Sequence, residues 1–126
     1  MRSRKVLVVD DDDIIREVAK VALEVVGGWQ VSTAESGDEA SRMASGDQPD
    51  VVLLDVMMPS MDGPSTAALL QADPATRGVP VIFLTAKSPL DDEQLASVPN
   101  LLGVISKPFD PMSLAAEINR LAGWDT

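Results

Sequence analysis

The most constraining feature of the sequence is a short apolar run that ends in a carboxylate. Residues 51–54 are Val-Val-Leu-Leu, Asp55 follows, and Pro59 closes the segment. A short apolar run without polar alternation is typical of a strand covered on both faces, as in a parallel sheet. Asp55 then lies at the carboxyl end of a central strand, where open α/β sheets hold their ligands. An isolated Asp at this place is more often a turn or helix cap, so the rest of the chain decides its role.

The rest of the chain repeats the unit of a strand followed by a helix. Further strands are predicted over residues 5–9, 29–34, 79–84 and 101–106, and helices after residues 10–13, after Ser36, and over 64–72, 87–99 and 111–122. The first helix has apolar residues at the helical period (Ile14, Val18, Val21, Ala22 and Val25), and the second begins with a Ser36–Glu39 capping box. Strict alternation predicts parallel strands, right-handed crossovers and helices on both faces. The half-polar second strand belongs at an edge, which favours a flavodoxin-like α/β/α sandwich with strand order 2-1-3-4-5.

Composition limits the functions that remain. The 126 residues fit one domain, 1–126, with a core of about 4–122. Without His or Cys the chain has no disulfide, no thiolate metal site and no histidine general base. A net charge of −10 argues against direct nucleic-acid binding. No apolar run reaches the length of a membrane span and no signal-like segment opens the chain, so a cytoplasmic protein without membrane insertion is expected.

Polar side chains follow four of the predicted strands. Asp10 and Asp11 follow the first strand, Asp55 ends the third, and Thr85 and Lys107 follow the fourth and fifth. The first and third strands are neighbours roughly 5 Å apart, so their carboxylates converge. Two carboxylates at this separation repel by about 3 kcal/mol at an effective dielectric near 20. An all-oxygen site of this kind suits Mg²⁺ (or Mn²⁺), while the Thr85 hydroxyl and Lys107 ammonium suit an anion.

This set of groups predicts phosphoryl chemistry. Three carboxylates, one divalent cation and one lysine sum to zero charge, and the open positions on the metal suit phosphate oxygens. Asp55 is an ionised nucleophile without any general base, so it can form an aspartyl phosphate. The metal and Lys107 would stabilise charge on the transferring oxygens. Asp12 and Asp13 are interpreted as the start of the first helix.

Four motifs together resemble a known family: Val-Val-Asp10-Asp11, Leu-Leu-Asp55-Val-Met-Met-Pro59-Ser-Met-Asp62-Gly63, Phe-Leu-Thr85-Ala86 and Lys107-Pro108-Phe109. The chain is similar to the receiver domain of bacterial two-component response regulators, of which the chemotaxis receiver is a member. The resemblance implies that Asp55 accepts phosphate from a histidine kinase or histidine phosphotransfer protein. It implies that Asp11, the Asp55 carboxylate and the Met57 main-chain carbonyl bind Mg²⁺ directly, with Asp10 acting mostly through water.

The resemblance also assigns the anion side of the site and shows two departures. Thr85 would bond the phosphoryl group and shift toward it, Lys107 would pair with it, and the 107–108 peptide bond would be cis. Val104 stands where the family usually has Tyr or Phe, a ring that turns inward as the threonine moves. Asn100 and Leu101 replace the usual Gly-Ala before the fifth strand; Asn tolerates the left-handed conformation, so a turn is expected there.

Two other functions stay open at this stage. A phosphatase of the haloacid-dehalogenase type also uses an Asp nucleophile, but it needs a second Asp two residues later, where this chain has Met57. A pseudo-receiver would keep the fold and signal through protein contacts alone. The leading hypothesis is a regulatory phosphoacceptor rather than an enzyme, limited to self-phosphorylation from small donors and self-dephosphorylation.

The expected output surface is the fourth helix, fifth strand and fifth helix, about residues 89–122. Through it the domain would bind a downstream protein or an effector domain, as a monomer or a weak phosphorylation-dependent dimer. The chain ends shortly after its last helix, which favours a free-standing receiver over a fragment preceding an effector. The fourth helix has few apolar anchors and is expected to be the most mobile part of that surface.

Overall fold

Five strands alternate with five helices in a computed structural model that describes residues 4–59, 61–86 and 91–124. The strands are β1 (Lys5–Val9), β2 (Gln30–Ala34), β3 (Val51–Asp55), β4 (Val81–Thr85) and β5 (Leu101–Ser106); the helices are α1 (Asp13–Val25), α2 (Gly37–Asp47), α3 (Gly63–Ala72), α4 (Asp92–Ala96) and α5 (Leu114–Ala122). All neighbouring strands pair in parallel in the order β2-β1-β3-β4-β5, which confirms the predicted topology. Among the described helices, none combines the length and apolarity needed to cross a bilayer.

Two apolar layers cover the two faces of the sheet. Val52 and Leu54 of β3 pack in one cluster with side chains of α2 and α3, while Val51 and Leu53 pack in the other with side chains of α1 and α5. Every residue of β3 is therefore buried. This explains why its sequence shows no polar alternation, since both faces of a central parallel strand are covered by helices.

The ends of the helices follow the predicted caps only in part. Asp12 caps α1 by accepting from the Ile14 and Ile15 N–H groups, and Ser36 caps α2 by accepting from the Glu39 N–H. The Glu39 carboxylate accepts from the Glu35 N–H instead of returning to Ser36, so the predicted capping box is half formed. A complete capping box joins Asp91 and Gln94 at the start of α4.

The turn before β5 is closed by a side chain. The turn expected at Asn100 forms, but without left-handed backbone, because Gln48 is the one non-glycine residue with positive φ in the described chain. The Asn100 amide group donates to the main-chain oxygens of Val79 and Arg77, and its side-chain oxygen accepts from Gln71 at 2.5 Å. These bonds satisfy carbonyl groups near the start of β4 and fix where β5 begins.

Helix α4 is shorter than predicted. It was expected over 87–99, whereas the structure forms it over Asp92–Ala96, and residues 87–90 lie outside the described residues. Buried Val98 and half-buried Leu95 anchor it to the core. Helix α5 likewise begins at Leu114 rather than at residue 111, because an Asp110 turn, which accepts from the Met112 N–H and the Ser113 hydroxyl, precedes it. Gly123 ends α5 with φ 70°, as expected.

Two tryptophans join the amino-terminal edge of the sheet to the end of the last helix. Trp29 directly precedes β2 and Trp124 follows α5, and their rings meet edge to face with centroids 5.3 Å apart. The Arg4 guanidinium carbon lies 4.7 Å from the Trp124 ring centroid, within cation–π distance. The pair therefore lies at the opposite end of the sheet from the carboxyl ends of the strands.

Candidate metal and phosphoryl-group site

Three carboxylates converge at the carboxyl edge of the sheet. Asp10, Asp11 and Asp55 each offer an oxygen, and these oxygens lie within 4.8 Å of one another. The register explains the convergence, because Val9 of β1 pairs with Leu54 of β3 and the acids come directly after them. Asp10 and Asp55 are buried, whereas Asp11 is exposed. The site therefore has a closed inner side and one ligand that faces solvent.

Lys107 provides the positive charge of this site. Its Nζ lies 2.7 Å from Asp10 Oδ2 and 3.2 Å from Asp55 Oδ1, and its side chain is 14% exposed. Its main-chain N–H donates to the Thr85 carbonyl at 2.8 Å, which fixes the lysine backbone against the end of β4. The peptide bond from Lys107 to Pro108 is cis, as the family resemblance implied.

One buried oxygen of Asp10 has unused hydrogen-bonding capacity. Asp10 Oδ1 accepts from the Asp12 N–H at 2.9 Å. Oδ2 lies 2.7 Å from the Lys107 ammonium, and within the described residues it has no other partner. A carboxylate oxygen has more than one lone pair, so this buried oxygen can also accept from a water or bind a cation. With three oxygen donors around it, the position fits Mg²⁺, directly or through water.

The electrostatics show that the site is short of positive charge. Burial raises the pKa of Asp55, and the Asp10 charge raises it further; Lys107 and the Met57 N–H offset this only in part. Burial alone would lower the pKa of Lys107, but Asp10 and Asp55 outweigh that effect and raise it. The Asp55 shift is thus due mainly to burial, and the Lys107 shift to the two carboxylates that share its ammonium. A divalent cation would relieve this imbalance.

Met57, directly after β3, and Gly63 at the start of α3 are held close to the site. The Met57 N–H donates to Asp55 Oδ1 at 3.3 Å, and the Gly63 N–H donates to the Val56 carbonyl at 2.9 Å. A Cβ on Gly63 would lie 2.9 Å from Val56 Cα and 3.1 Å from the Asp55 carbonyl oxygen, so the start of α3 approaches β3 more closely than a side chain allows. The main chain of Met57 is thus fixed beside Asp55, while its side chain is exposed.

Thr85, which was predicted to bond the phosphoryl group, ends β4. Val104, which replaces the aromatic residue usual in the family, lies in β5. Thr85 is the buried last residue of β4 and pairs with Ser106 of β5. Val104 pairs with Phe83 and is 42% exposed. The structure therefore brings Asp10, Asp55 and Lys107 into direct contact and places Thr85 at the end of the adjoining strand.

Two features near the site were not predicted. Arg16 of α1 donates to the Asp10 main-chain oxygen at 2.7 Å. The sequence gives no signal for this contact, because an Arg three residues after Asp13 predicts only an i,i+3 ion pair. The apolar face predicted for α1 is mostly exposed, with Ile14 at 74% and Val25 at 77%. Of the predicted positions only Ala22 is buried, together with Ala19 and Leu23.

The family model of the response regulator receiver domain matches residues 6–119. The chain belongs to this family. The receiver is 39% identical over 121 residues to response regulator PleD of Caulobacter vibrioides, covering 94% of the chain and 26% of that protein. It is 36% identical to the phosphate regulon regulator PhoB of Pseudomonas aeruginosa, covering 94% of the chain and 51% of that protein. The receiver thus spans about a quarter to a half of these curated relatives.

Solved structures agree with this membership. The receiver superposes on chemotaxis protein CheY4 of Vibrio cholerae with a TM-score of 0.87 and 31% identity, covering 95% of this chain and 99% of that one. It also matches the receiver domain of sensor histidine kinase PA1611 from Pseudomonas aeruginosa, with a TM-score of 0.82, 27% identity, and coverage of 97% and 99%. That domain was crystallised with magnesium coordinated in its active-site cleft. The chain is therefore a two-component signalling domain, of the type that works as a phosphorylatable switch.

Proposed function

We propose that this receiver accepts a phosphoryl group on Asp55 from the phosphohistidine of a histidine kinase or histidine phosphotransfer protein. The observation that carries the proposal is the buried contact of Asp10, Asp55 and Lys107 beside exposed Asp11. In this proposal Asp10, Asp11, Asp55 and the Met57 carbonyl hold Mg²⁺. The cation supplies positive charge beside the transferring oxygens when it is bound.

The residues of the chain perform distinct parts of the transfer. An Asp55 oxygen forms the new O–P bond as the P–N bond to the donor imidazole breaks, and the bond electrons stay with the imidazole nitrogen. Lys107 already contacts both buried carboxylates and pairs with the added phosphoryl oxygens, while the Thr85 hydroxyl donates to one of them. No side chain of the receiver needs to remove a proton, because ionised Asp55 is the nucleophile.

The phosphodonor has a suitable docking face next to this site. A groove between α1 and the segment before α5 is lined by apolar side chains (Val18, Val21, Ala22, Val25, Val26, Pro111 and Met112), with Glu17 at its border. Its two walls continue directly from the loops that carry Asp11 and Lys107. Ile14, Val18, Val21 and Val25 are spaced 4-3-4, the spacing of a helix-packing seam. We propose that a helix of the donor packs here and brings its phosphohistidine over Asp55.

The output side of the proposal uses the surface of α4, β5 and α5, through which a downstream partner or effector would bind. Because Val104 cannot turn inward as an aromatic ring does, the signal from Thr85 would reach this surface through movement of the backbone and of α4. A haloacid-dehalogenase-type hydrolysis is not supported, since Met57 offers no carboxylate at the required place. The cytoplasmic location and the oligomeric state stay predictions.

The test uses acetyl phosphate as the donor, with intact-protein mass spectrometry as the readout. In the presence of Mg²⁺ the wild type gains one phosphoryl group, Asp55→Asn gains none, and EDTA abolishes the gain. Asp62→Asn is the matched control, because Asp62 is an exposed carboxylate that caps α3 and is not in the cluster. Equal labelling of wild type and Asp55→Asn would disprove the proposal, and absence of both labelling and Mg²⁺ binding would favour a pseudo-receiver.

A further inference from the structure

Arg16 connects three segments around the loop that carries two of the three carboxylates. Its Nη1 donates to the Asp10 main-chain oxygen at 2.7 Å. Its Nη2 pairs with the Asp13 carboxylate in the first turn of α1 and lies 3.9 Å from Glu35 Oε2, just beyond β2. The Arg16 side chain is 15% exposed, so it is held within the fold rather than extended into solvent. No part of the proposed phosphoryl transfer uses this residue.

The loop between β1 and α1 consists of residues 10–12, and its conformation decides where the Asp10 and Asp11 carboxylates point. The Asp10 N–H donates to the Ala34 carbonyl at 3.1 Å, and the Asp12 N–H donates to Asp10 Oδ1 at 2.9 Å. These bonds fix the N–H side of the loop, whereas Arg16 fixes the carbonyl of Asp10. A planar guanidinium suits this task, because its several donors can bind oxygens in different directions at once.

We infer that Arg16 is a positioning residue for the metal site, holding the 10–12 loop so that Asp10 and Asp11 face Asp55. The inference rests on the proposed function, since it assigns a role toward Mg²⁺. Groups that orient metal ligands typically change metal affinity by about 10- to 100-fold when they are removed. Arg16 does not touch the transferring group, so its loss should change the Mg²⁺ requirement and not the rate once Mg²⁺ is saturating.

The charge of Arg16 makes the sign of the effect informative. A cation this near to the carboxylates repels Mg²⁺, so electrostatics alone would make Mg²⁺ bind more tightly after its removal. Loss of a positioning role would instead make Mg²⁺ bind more weakly. Arg16→Lys separates the two effects, because it keeps the charge while a single ammonium cannot reproduce the forked contacts.

The experiment measures Mg²⁺ affinity by calorimetry, without any phosphodonor, for wild type, Arg16→Lys, Arg16→Met and Lys20→Met. Lys20 is the matched control, because it lies on the same helix and pairs with Glu24 at 2.8 Å, away from the loop. We expect about tenfold weaker binding or more in both Arg16 variants and a change of less than about twofold in Lys20→Met. Acetyl phosphate labelling should then recover the wild-type maximal rate at saturating Mg²⁺ in Arg16→Lys.

Each outcome decides the inference. Unchanged or tighter Mg²⁺ binding in Arg16→Lys would overturn it while leaving the proposed function intact, provided that the wild type binds Mg²⁺. A wild type that binds no Mg²⁺ would overturn both. Amide spectra of each variant show whether the fold is intact, and if Arg16→Met does not fold, the charge-conserving Arg16→Lys alone decides the matter.

Discussion

Lys107 Nζ lies closer to Asp10 Oδ2, at 2.7 Å, than to Asp55 Oδ1, at 3.2 Å. The ammonium therefore bridges the two buried carboxylates instead of pairing only with the proposed phosphoacceptor. Such a bridge stabilises the site before any metal or phosphoryl group arrives, and it must loosen from Asp10 when Lys107 pairs with new oxygens. Lys107 consequently has a structural role that can be measured separately from signalling.

Lys107→Met should destabilise the metal-free receiver. Removing one partner of a buried ion pair leaves uncompensated charge, which typically costs about 3 kcal/mol in the free energy of unfolding. Because the folded-state pKa of Lys107 is raised, its stabilisation is complete below the ordinary value of 10.5 and is lost as pH rises through the higher folded value. Urea denaturation at several pH values measures both the lower stability of the variant and the loss of stability at alkaline pH. Lys107→Met should not show the second effect.

Mg²⁺ should restore much of the stability of Lys107→Met, since a cation that binds only the folded state adds to the free energy of unfolding. Lys20→Met serves as the control and should show no measurable change, because its ion pair lies on the surface. Wild-type stability of Lys107→Met without divalent ions would contradict the proposed bridge.

Asp55→Asn should stabilise the metal-free receiver at neutral pH by about 1 kcal/mol. The substitution removes a buried charge, while Lys107 retains its ion pair with Asp10. The folded-state pKa of Asp55 is raised above its ordinary value of 3.8, so between these values the folded state binds more protons than the unfolded state. Wild-type stability should accordingly contain a component that falls as pH rises through this window, and the variant should lack it.

Thermal unfolding across the acidic range, with EDTA present, measures the difference between wild type and Asp55→Asn. Asp38→Asn provides the control, because Asp38 is an exposed carboxylate of α2. If Asp55→Asn were less stable than wild type at neutral pH, the Asp55 charge would be well compensated in the folded receiver, and the prediction would be wrong.

Gly63→Ala should destabilise the fold and weaken Mg²⁺ binding together. The new Cβ would meet the backbone of Val56 and Asp55 and the Phe83 ring at 3.1 Å or closer, and backbone atoms cannot move aside cheaply. Overpacking of this kind costs about 1–3 kcal/mol. Gly46→Ala is the matched control, because nothing lies within 4 Å of its Cβ position and helix α2 should gain about 0.5–1 kcal/mol. If Gly63→Ala and Gly46→Ala changed the free energy of unfolding in the same direction, this account would be refuted.

Helix α4 should exchange its amide hydrogens faster than α1. It has five residues and is anchored by Leu95 and Val98, whereas α1 has thirteen residues and buries Ala19, Ala22 and Leu23. Elements with few buried contacts open at lower free-energy cost. Hydrogen exchange followed by NMR gives the comparison residue by residue, and protection of α4 equal to that of α1 would contradict it.

The sequence predicted the central strand and the side chains that meet at the carboxyl ends of the strands. Val51–Leu54 predicted a central strand because both of its faces are covered, and the edge shared by parallel strands brought Asp10, Asp55 and Lys107 together without any structural information. What the helical period could not predict is whether an apolar face is covered. Ile14 and Val25 fit the pattern of α1, yet they are exposed, whereas the helix is buried at Ala19, Ala22 and Leu23, of which only Ala22 was predicted.

Contacts between side chains and carbonyl groups were also beyond prediction. Asn100 was expected only to permit a turn, whereas its amide group also donates to the carbonyls of Arg77 and Val79. No role was predicted for Arg16, which donates to the Asp10 carbonyl. Both contacts depend on how two distant segments approach each other, and neither residue type nor spacing encodes that approach.

The tryptophan pair gives this receiver a convenient spectroscopic property. Trp29 and Trp124 are the only tryptophans of the chain, and they lie against each other at the end of the sheet remote from Asp55. Intrinsic fluorescence should therefore report unfolding while remaining silent to the arrival of a metal or phosphoryl group. Emission can thus be used as a readout of stability at any Mg²⁺ concentration, without a correction for quenching by the bound ion.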